Sequence, residues 1–235
     1  MVPQKKYPFI NVHTHQEDDP GVVSVLNIMA DNGVLNESPK NVFFSAGFHP
    51  WYINPLSCPS ENEVVGFLDH CYKQQGFLAV GEAGLDKLSA VSMEIQKRVF
   101  LYQAQWAERN QFPMIIHCVK SYVDLLLIRK ENAFNSPWVF HAFNGNIQLA
   151  QELIRHGCYL SVGHFLFRPQ TKVYKAFEMI PGTALFLETD ESNLSIQQIT
   201  NRAAELKNTP TTDLLAQLNQ NFKTVFKRNP VIHEP

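Results

Sequence analysis

MEIQKRVFLYQAQWAERNQFPMIIHCVKSYVDLLLIRKENAFNSPWVFH, residues 93–141, alternates helix-like with strand-like stretches. From 93 to 110 the side chains Ile95, Val99, Tyr102 and Trp106 recur at the three- and four-residue spacing of one helix face, and Pro113 stops the run. A β-rich run follows over 114–116, then a second helical pattern over 122–130 and a second β-rich run over 138–140. Strand, helix and strand in that order form a parallel unit, because the helix is what carries the chain back to start a strand in the same direction. His117 and His141 each stand directly after one of the two β-rich runs.

Outward from this unit the alternation continues. Further β-rich runs cover 9–12, 22–28, 42–47, 77–80, 158–162 and 184–187, with helical patterns over 147–156, 170–179 and 196–207. Eight strands alternating with helices predict an α/β fold closed into a TIM (β/α)8-type barrel, which 235 residues can build if the connections are trimmed. No repeat, low-complexity tract or linker divides the sequence, so residues 1–235 read as a single domain. Only HQEDDPG separates the first two runs, too little for a helical crossover of a dozen or more residues, and the first βα unit is expected to be shortened and irregular.

Composition narrows the function classes. The chain is 45% hydrophobic and 18% charged, with 17 Phe, which suits a globular protein with a large core and excludes disorder. Twenty basic and 22 acidic residues leave a net charge of −2, so no global positive field holds long nucleic acid, and any such substrate must be gripped locally. There is no apolar stretch of signal-peptide length near the N-terminus and no run of eighteen apolar residues, from which a cytoplasmic protein without membrane contact is expected. Cys58, Cys71, Cys118 and Cys158 form no CxxC pair and read as reduced, buried fillers. No obligate protein partner is indicated.

The chemistry gathers where the strands end. FINVHTH places His13 and His15 two apart, on one face of a strand. Glu82 in AVGEAGLD, His117 in PMIIH, His141 in WVFH and Asp190 in LFLETD follow later runs. Singly, each has an ordinary structural use, such as pairing with a lysine or capping a helix. Together, at successive strand ends of a barrel, they would converge on the face where such enzymes build their sites, and a cation is the partner that so many charged groups require. Four imidazoles and two carboxylates suit Zn²⁺, Mn²⁺ or Fe²⁺ better than Ca²⁺. Six ligands exceed a closed four-ligand zinc site and fit two neighbouring ions, with Glu82 the candidate bridge.

The motifs FINVHTH, AGFHPW, AVGEAGLD, PMIIHC, FHAFNG and LFLETD, in that order and over nearly the whole chain, resemble those of TatD-family deoxyribonucleases. The resemblance implies a TIM barrel of the metallo-dependent hydrolase superfamily holding one or two divalent ions (Zn, Mg or Mn). It puts His13, His15 and Asp190 on one ion, His117 and His141 on the other, and Glu82 on both. Asp190 and Glu82 would be the catalytic carboxylates, with Asp190 accepting the proton of the attacking water. The implied activity is hydrolysis of ester bonds, as a phosphodiesterase or deoxyribonuclease acting exonuclease-fashion on short or single-stranded DNA ends.

Departures from the family pattern bear on substrate grip. HQEDDPG stands where relatives carry a helix. His117 is followed by Cys118, Val119 and Lys120, not by serine and arginine, so Lys120 offers a point charge where a bidentate donor would stand. Glu191 and Ser192 follow Asp190 in place of a small residue and proline. His49 in GFHPW reads as a substrate contact or a support for the metal site. Asn144 and Gly145 would line it, and His164 and Arg168 would reach phosphate. His70, His156 and His233 read as surface histidines. Two other functions compete: an amidohydrolase-type enzyme cleaving an amide, lactone or cyclic imide, whose two-metal form commonly bridges through a lysine that no candidate strand supplies here, and a metal-stabilised barrel that binds without turnover.

Overall fold

A computed structural model describes residues 7–16, 21–30, 43–54 and 56–230. Val42, His233 and residues 17–20 of the HQEDDPG segment lie outside that set. Eight parallel strands follow one another around the sheet in sequence order: β1 (Phe9–Thr14), β2 (Val22–Met29), β3 (Phe43–Gly47), β4 (Phe77–Asp86), β5 (Met114–Val119), β6 (Trp138–Phe140), β7 (Cys158–Val162) and β8 (Leu185–Leu187). The ring closes between β8 and β1. Thr14 and Asp190 form a parallel bridge, and the Asp190 N–H donates to the His13 carbonyl at 3.1 Å. Below that bridge the Asn11 amide donates to Thr189 Oγ1 at 2.7 Å and accepts from the Thr189 N–H at 3.0 Å, so side chains continue the ladder past the short β8.

The helices are α1 (Glu61–Tyr72), α2 (Met93–Asn110), α3 (Tyr122–Glu131), α4 (Ile147–Arg155), α5 (Lys172–Ala176), α6 (Ile196–Leu206) and α7 (Thr211–Phe226). Sequence periodicity did not point to α1 or α7. In α7 the buried stripe of Leu214, Leu218, Phe222 and Val225 is accompanied by buried Asn219 and Asn221, which hides its apolar face. Those amides clasp strand starts: Asn219 donates to the Pro8 carbonyl at 2.9 Å, and Asn221 to the carbonyls of Gly182 and Leu185 at 2.7 and 2.8 Å. Helix α7 therefore packs at the beginnings of β1 and β8, the end of the barrel opposite His13 and Asp190. The helix expected over 170–179 begins later, at Lys172, where Thr171 Oγ1 caps it by accepting from the Tyr174 N–H at 3.3 Å, and it passes into a 3₁₀ turn over Phe177–Met179.

The connection between the first two strands is short, as expected. β1 and β2 are adjacent and parallel, with Phe9 opposite Val22, and only seven residues connect them. At roughly 3.4 Å per extended residue, such a connection can run back along a six-residue strand but has no length left for a helix.

Both strands at the centre of the site are longer than their apolar runs. β4 extends to Asp86 and β5 to Val119, so Glu82 and His117 lie within strands and not beyond them. Every residue of β4 is buried, and its small side chains let neighbouring strands approach. A Cβ at Gly84 would sit 1.8 Å from the His117 carbonyl oxygen, so glycine there is what allows β4 and β5 to meet.

Buried glutamines of α2 reach from the helix to the ends of two strands. Gln103 accepts from the Phe48 N–H at 2.7 Å and donates to the Phe48 carbonyl at 3.2 Å, fixing the chain before His49. Gln96 does the same for Asp86, at 2.7 and 3.0 Å. After β8, α6 starts on a capping box in which Ser195 Oγ accepts from the Gln198 N–H at 3.2 Å and Gln198 Oε1 accepts from the Ser195 N–H at 2.9 Å. Ser195→Ala is expected to lower unfolding stability by about 1 kcal/mol, the usual worth of such a cap, while leaving metal content unchanged. Denaturant titration checks this, and an unmoved midpoint would show that the cap is redundant.

Candidate metal centre

Strand alternation turns His13 and His15 to the same side of β1, with ring centroids 5.1 Å apart. Across the barrel, Glu82 on β4 is 3% exposed and sits at the focus of the histidines. Its Oε2 faces His13 Nε2 at 3.4 Å and His15 Nε2 at 3.8 Å. Its Oε1 faces His117 Nδ1 at 2.6 Å, His141 Nε2 at 2.7 Å and His49 Nε2 at 3.1 Å. Asp190 Oδ1 closes the first side, 3.5 Å from His15 Nε2 and 3.7 Å from His13 Nε2. All six residues expected from the sequence are thus brought together, with one carboxylate presenting a separate oxygen to each half of the set.

Asn27 on β2 holds that carboxylate in place. Its Oδ1 accepts from the Glu82 N–H at 2.8 Å, and its Nδ2 lies 3.5 Å from Glu82 Oε2. On the far side of His117, Asp86 Oδ2 is 3.1 Å from Nε2 and also accepts from the Trp51 indole N–H at 2.6 Å. Behind His141, Glu188 is 1% exposed, with Oε1 3.7 Å from His141 Nδ1. Sequence reading assigned no part to Asn27, Asp86, Trp51 or Glu188. Asp86 and Glu188 stand in the quoted motifs, four residues after Glu82 and two before Asp190, but nothing in the sequence says which strand faces them.

The charges are strongly interdependent. Burial alone would lift the Glu82 carboxyl, but the imidazoles of His141, His117 and His13 outweigh it and hold Glu82 well below its ordinary range. Burial likewise opposes a charge on His141, yet Glu82 and Glu188 raise it well above the usual imidazole value. Asp190 is lowered, burial being overcome by His15 and by the charge of His141 and His13. His15 is raised, chiefly by Asp190. In the protein alone, then, protons on His15 and His141 are favoured by the carboxylates they face. A divalent ion would displace those protons, since only a deprotonated imidazole nitrogen can be a ligand.

The donor set fits such an ion. His13, His15 and Glu82 offer ligand atoms that all lie within 4.8 Å of one another, as do His13, His141 and Asp190. Both ring nitrogens of His13 are buried without a hydrogen-bond partner among the described residues, an arrangement that is costly unless something else fills the site.

Comparison with known proteins agrees with the geometry. The family profile described as TatD related DNase matches residues 23–227. This chain belongs to the TatD-related DNase family. Among its relatives, the uncharacterized metal-dependent hydrolase YabD of Bacillus subtilis is 25% identical over 204 residues, 80% of this chain and 78% of YabD. The 3'-5' ssDNA/RNA exonuclease TatD of Salmonella typhimurium is 26% identical over 176 residues, 71% of this chain and 64% of that protein. The crystal structure of the TatD homologue YjjV of Escherichia coli superposes with a TM-score of 0.81 at 23% identity, covering 94% of this chain and 98% of YjjV, and so shares the fold.

The remaining expected residues of this TatD-family chain fall into four groups. His49 is buried in the cluster itself. His164 and Arg168 line a neighbouring cleft that Asp190, Glu191 and Asn193 also border, 190 being shared with the metal centre. Lys120 and Asn144 are exposed, and Lys120 makes no hydrogen bond or ion pair with the cluster among the described residues. Gly145 is glycine for packing: a Cβ there would meet the Phe143 ring at 2.5 Å and Leu149 at 2.8 Å. Trp51 and Tyr52, 58% and 51% exposed, rim the pocket above Glu82. No helix among the described residues is long and apolar enough to cross a membrane.

Proposed function

We propose that this chain is a single-domain metal-dependent phosphodiesterase that removes nucleotides from short or single-stranded nucleic-acid ends. The observation that carries the reading is Glu82, whose two oxygens face separate sets of ring nitrogens across one pocket. In this reading His13, His15 and Asp190 would hold one ion, His117 and His141 would hold the other, and Glu82 would be shared between them. When bound, ions of the Zn²⁺, Mn²⁺ or Mg²⁺ kind supply an acidified water and positive charge against the phosphoryl oxygens. Asp190, ionised at neutral pH and 24% exposed at its side chain, accepts the proton of the attacking water. Its position is fixed from both directions, by the backbone bond to His13 and by the imidazole of His15. Asn27 keeps Glu82 from rotating between its partners, and Asp86 and Glu188 orient His117 and His141.

A net charge of −2 favours short or single-stranded substrates over long duplex DNA. The exposed rings of Trp51 and Tyr52 provide surfaces on which unpaired bases can stack. Arg168 offers a local cation for phosphate beyond Asp190. The name of the Salmonella relative supports the same substrate class. The four cysteines are free, as a reducing cytoplasm would keep them.

The test pairs elemental analysis with a panel of single- and double-stranded oligonucleotides, phosphomonoesters and amides. Chelator-treated protein is expected to be inactive and to recover on adding a divalent ion, with single-stranded ends degraded fastest. Turnover of amides or lactones with no phosphodiester cleaved would overturn the reading.

A further inference from the structure

Five imidazoles crowd Glu82, and the atom behind each ring decides what it presents to the site. A neutral imidazole has one N–H and one lone pair, so a ring nitrogen that accepts a hydrogen bond leaves the proton on the other. Behind His117 stands a carboxylate, Asp86 Oδ2, 3.1 Å from Nε2. A carboxylate only accepts, so with an ion in place the His117 proton would sit on Nε2 against Asp86, leaving the Nδ1 lone pair free to serve as the ligand. His141 turns its Nδ1 toward Glu188 as well, though at 3.7 Å the carboxylate stands beyond hydrogen-bond reach.

His49 is built the other way round. The N–H of Trp51 donates to His49 Nδ1 at 3.1 Å. That turn is fixed by the bond from the Tyr52 N–H to the His49 carbonyl at 3.0 Å, and by the Trp51 indole anchored on Asp86. With its lone pair committed to Trp51, His49 directs an N–H, not a lone pair, into the site. Distance alone would group His49 with Glu82 and His117 as a third ligand trio, since their donor atoms lie within 4.8 Å of one another. Tautomer chemistry excludes it: to bind an ion through Nε2 while accepting from Trp51, the ring would have to be imidazolate.

We propose that His49 is a positioning residue, locked by the Trp51 N–H as the Nε2–H tautomer and donating to Oε1 of Glu82 rather than ligating metal. His49 Nε2 lies 3.1 Å from both Glu82 Oε1 and His117 Nδ1. The anionic oxygen is the stronger acceptor, and it alone remains available once the His117 lone pair is engaged. A carboxylate oxygen has lone pairs for both an ion and this donor, so His49 steadies the carboxylate shared between the two halves of the site. Trp51 thereby serves both halves of one pair, setting the His49 tautomer with its backbone and bracing Asp86 with its indole.

The inference rests on the metal-centre reading, and its test separates the two. Long-range proton–nitrogen spectra of the full chain with labelled histidine, metal-free and zinc-loaded, are expected to show the His49 proton on Nε2 in both states. A proton on Nδ1 in either state overturns the proposal. In zinc titrations His49→Gln, which keeps a donor near the Nε2 position, should match the wild-type stoichiometry and stay within about tenfold of its affinity. His49→Phe should keep the stoichiometry but bind roughly ten- to a hundredfold more weakly, the range for lost outer hydrogen bonds to ligands. Loss of one zinc from His49→Gln, as from His117→Gln, would make His49 a ligand and end the proposal. If either variant fails to fold, the wild-type spectra decide. If the wild type binds no zinc, the metal reading fails while the metal-free spectrum still reports the tautomer. If zinc binds but no phosphodiester is cut, only the substrate reading fails.

Discussion

Asp190→Asn is expected to lower kcat by roughly a hundredfold or more, the scale of losing a general base. Asparagine keeps the size of the side chain and one acceptor oxygen but takes no proton at neutral pH. The fold should tolerate it, because the bond that closes the barrel here uses the backbone N–H of Asp190, 3.1 Å from the His13 carbonyl, and not its carboxylate. The φ of 53° at this residue is also one that asparagine adopts readily. Because Asp190 Oδ1 is 3.5 Å from His15 Nε2 and 3.7 Å from His13 Nε2, the substitution also touches the proposed ion site. The rate must therefore be measured at saturating metal with bound metal counted in the same samples. Full activity under those conditions would remove Asp190 from the mechanism, and with it most of the case for hydrolysis at this site.

Glu82→Gln is expected to deplete both ion positions together, whereas His117→Gln should deplete mainly one. The amide retains the shape of the carboxylate and can still meet Asn27, so a folded protein is expected. What is lost is the charge around which His13, His15, His117 and His141 are arranged. Outer partners of ligands are worth about ten- to a hundredfold in metal affinity, so a shared anionic ligand should cost at least the upper end of that range at each position. Elemental analysis after dialysis reads the result. Metal content equal to wild type would show that Glu82 does not bridge.

Much of this was legible along the chain because period and position carry it. The 3.6-residue stripe of α2 and the short β-rich runs around it follow from local sequence alone, and they order the barrel. Polar residues placed where apolar runs stop, at His13, His15, Glu82, His117, His141 and Asp190, mark a candidate set that the fold brings together. Their type, imidazole with carboxylate and no thiolate pair, is a donor set that suits a divalent ion. The sequence also determined that the first crossover had no room for a helix, through chain length alone.

Tertiary structure decided what depends on a second strand or a turn. Strand β4 runs through Glu82 to Asp86 because neighbouring β5 supplies ladder partners for its small residues, information absent from the FLAVGEAGLD run itself. Helix α7 escaped notice because its buried Asn219 and Asn221 look polar until the carbonyls of Pro8, Gly182 and Leu185 are seen to accept from them. Asp86, Glu188 and Asn27 acquire their places only across strands, behind His117, His141 and Glu82 respectively. His49 depends most on the fold. Its residue type permits a ligand or a donor equally, and the difference lies in a single Trp51 N–H, 3.1 Å behind the ring, whose direction is set by a turn and not by any residue's identity.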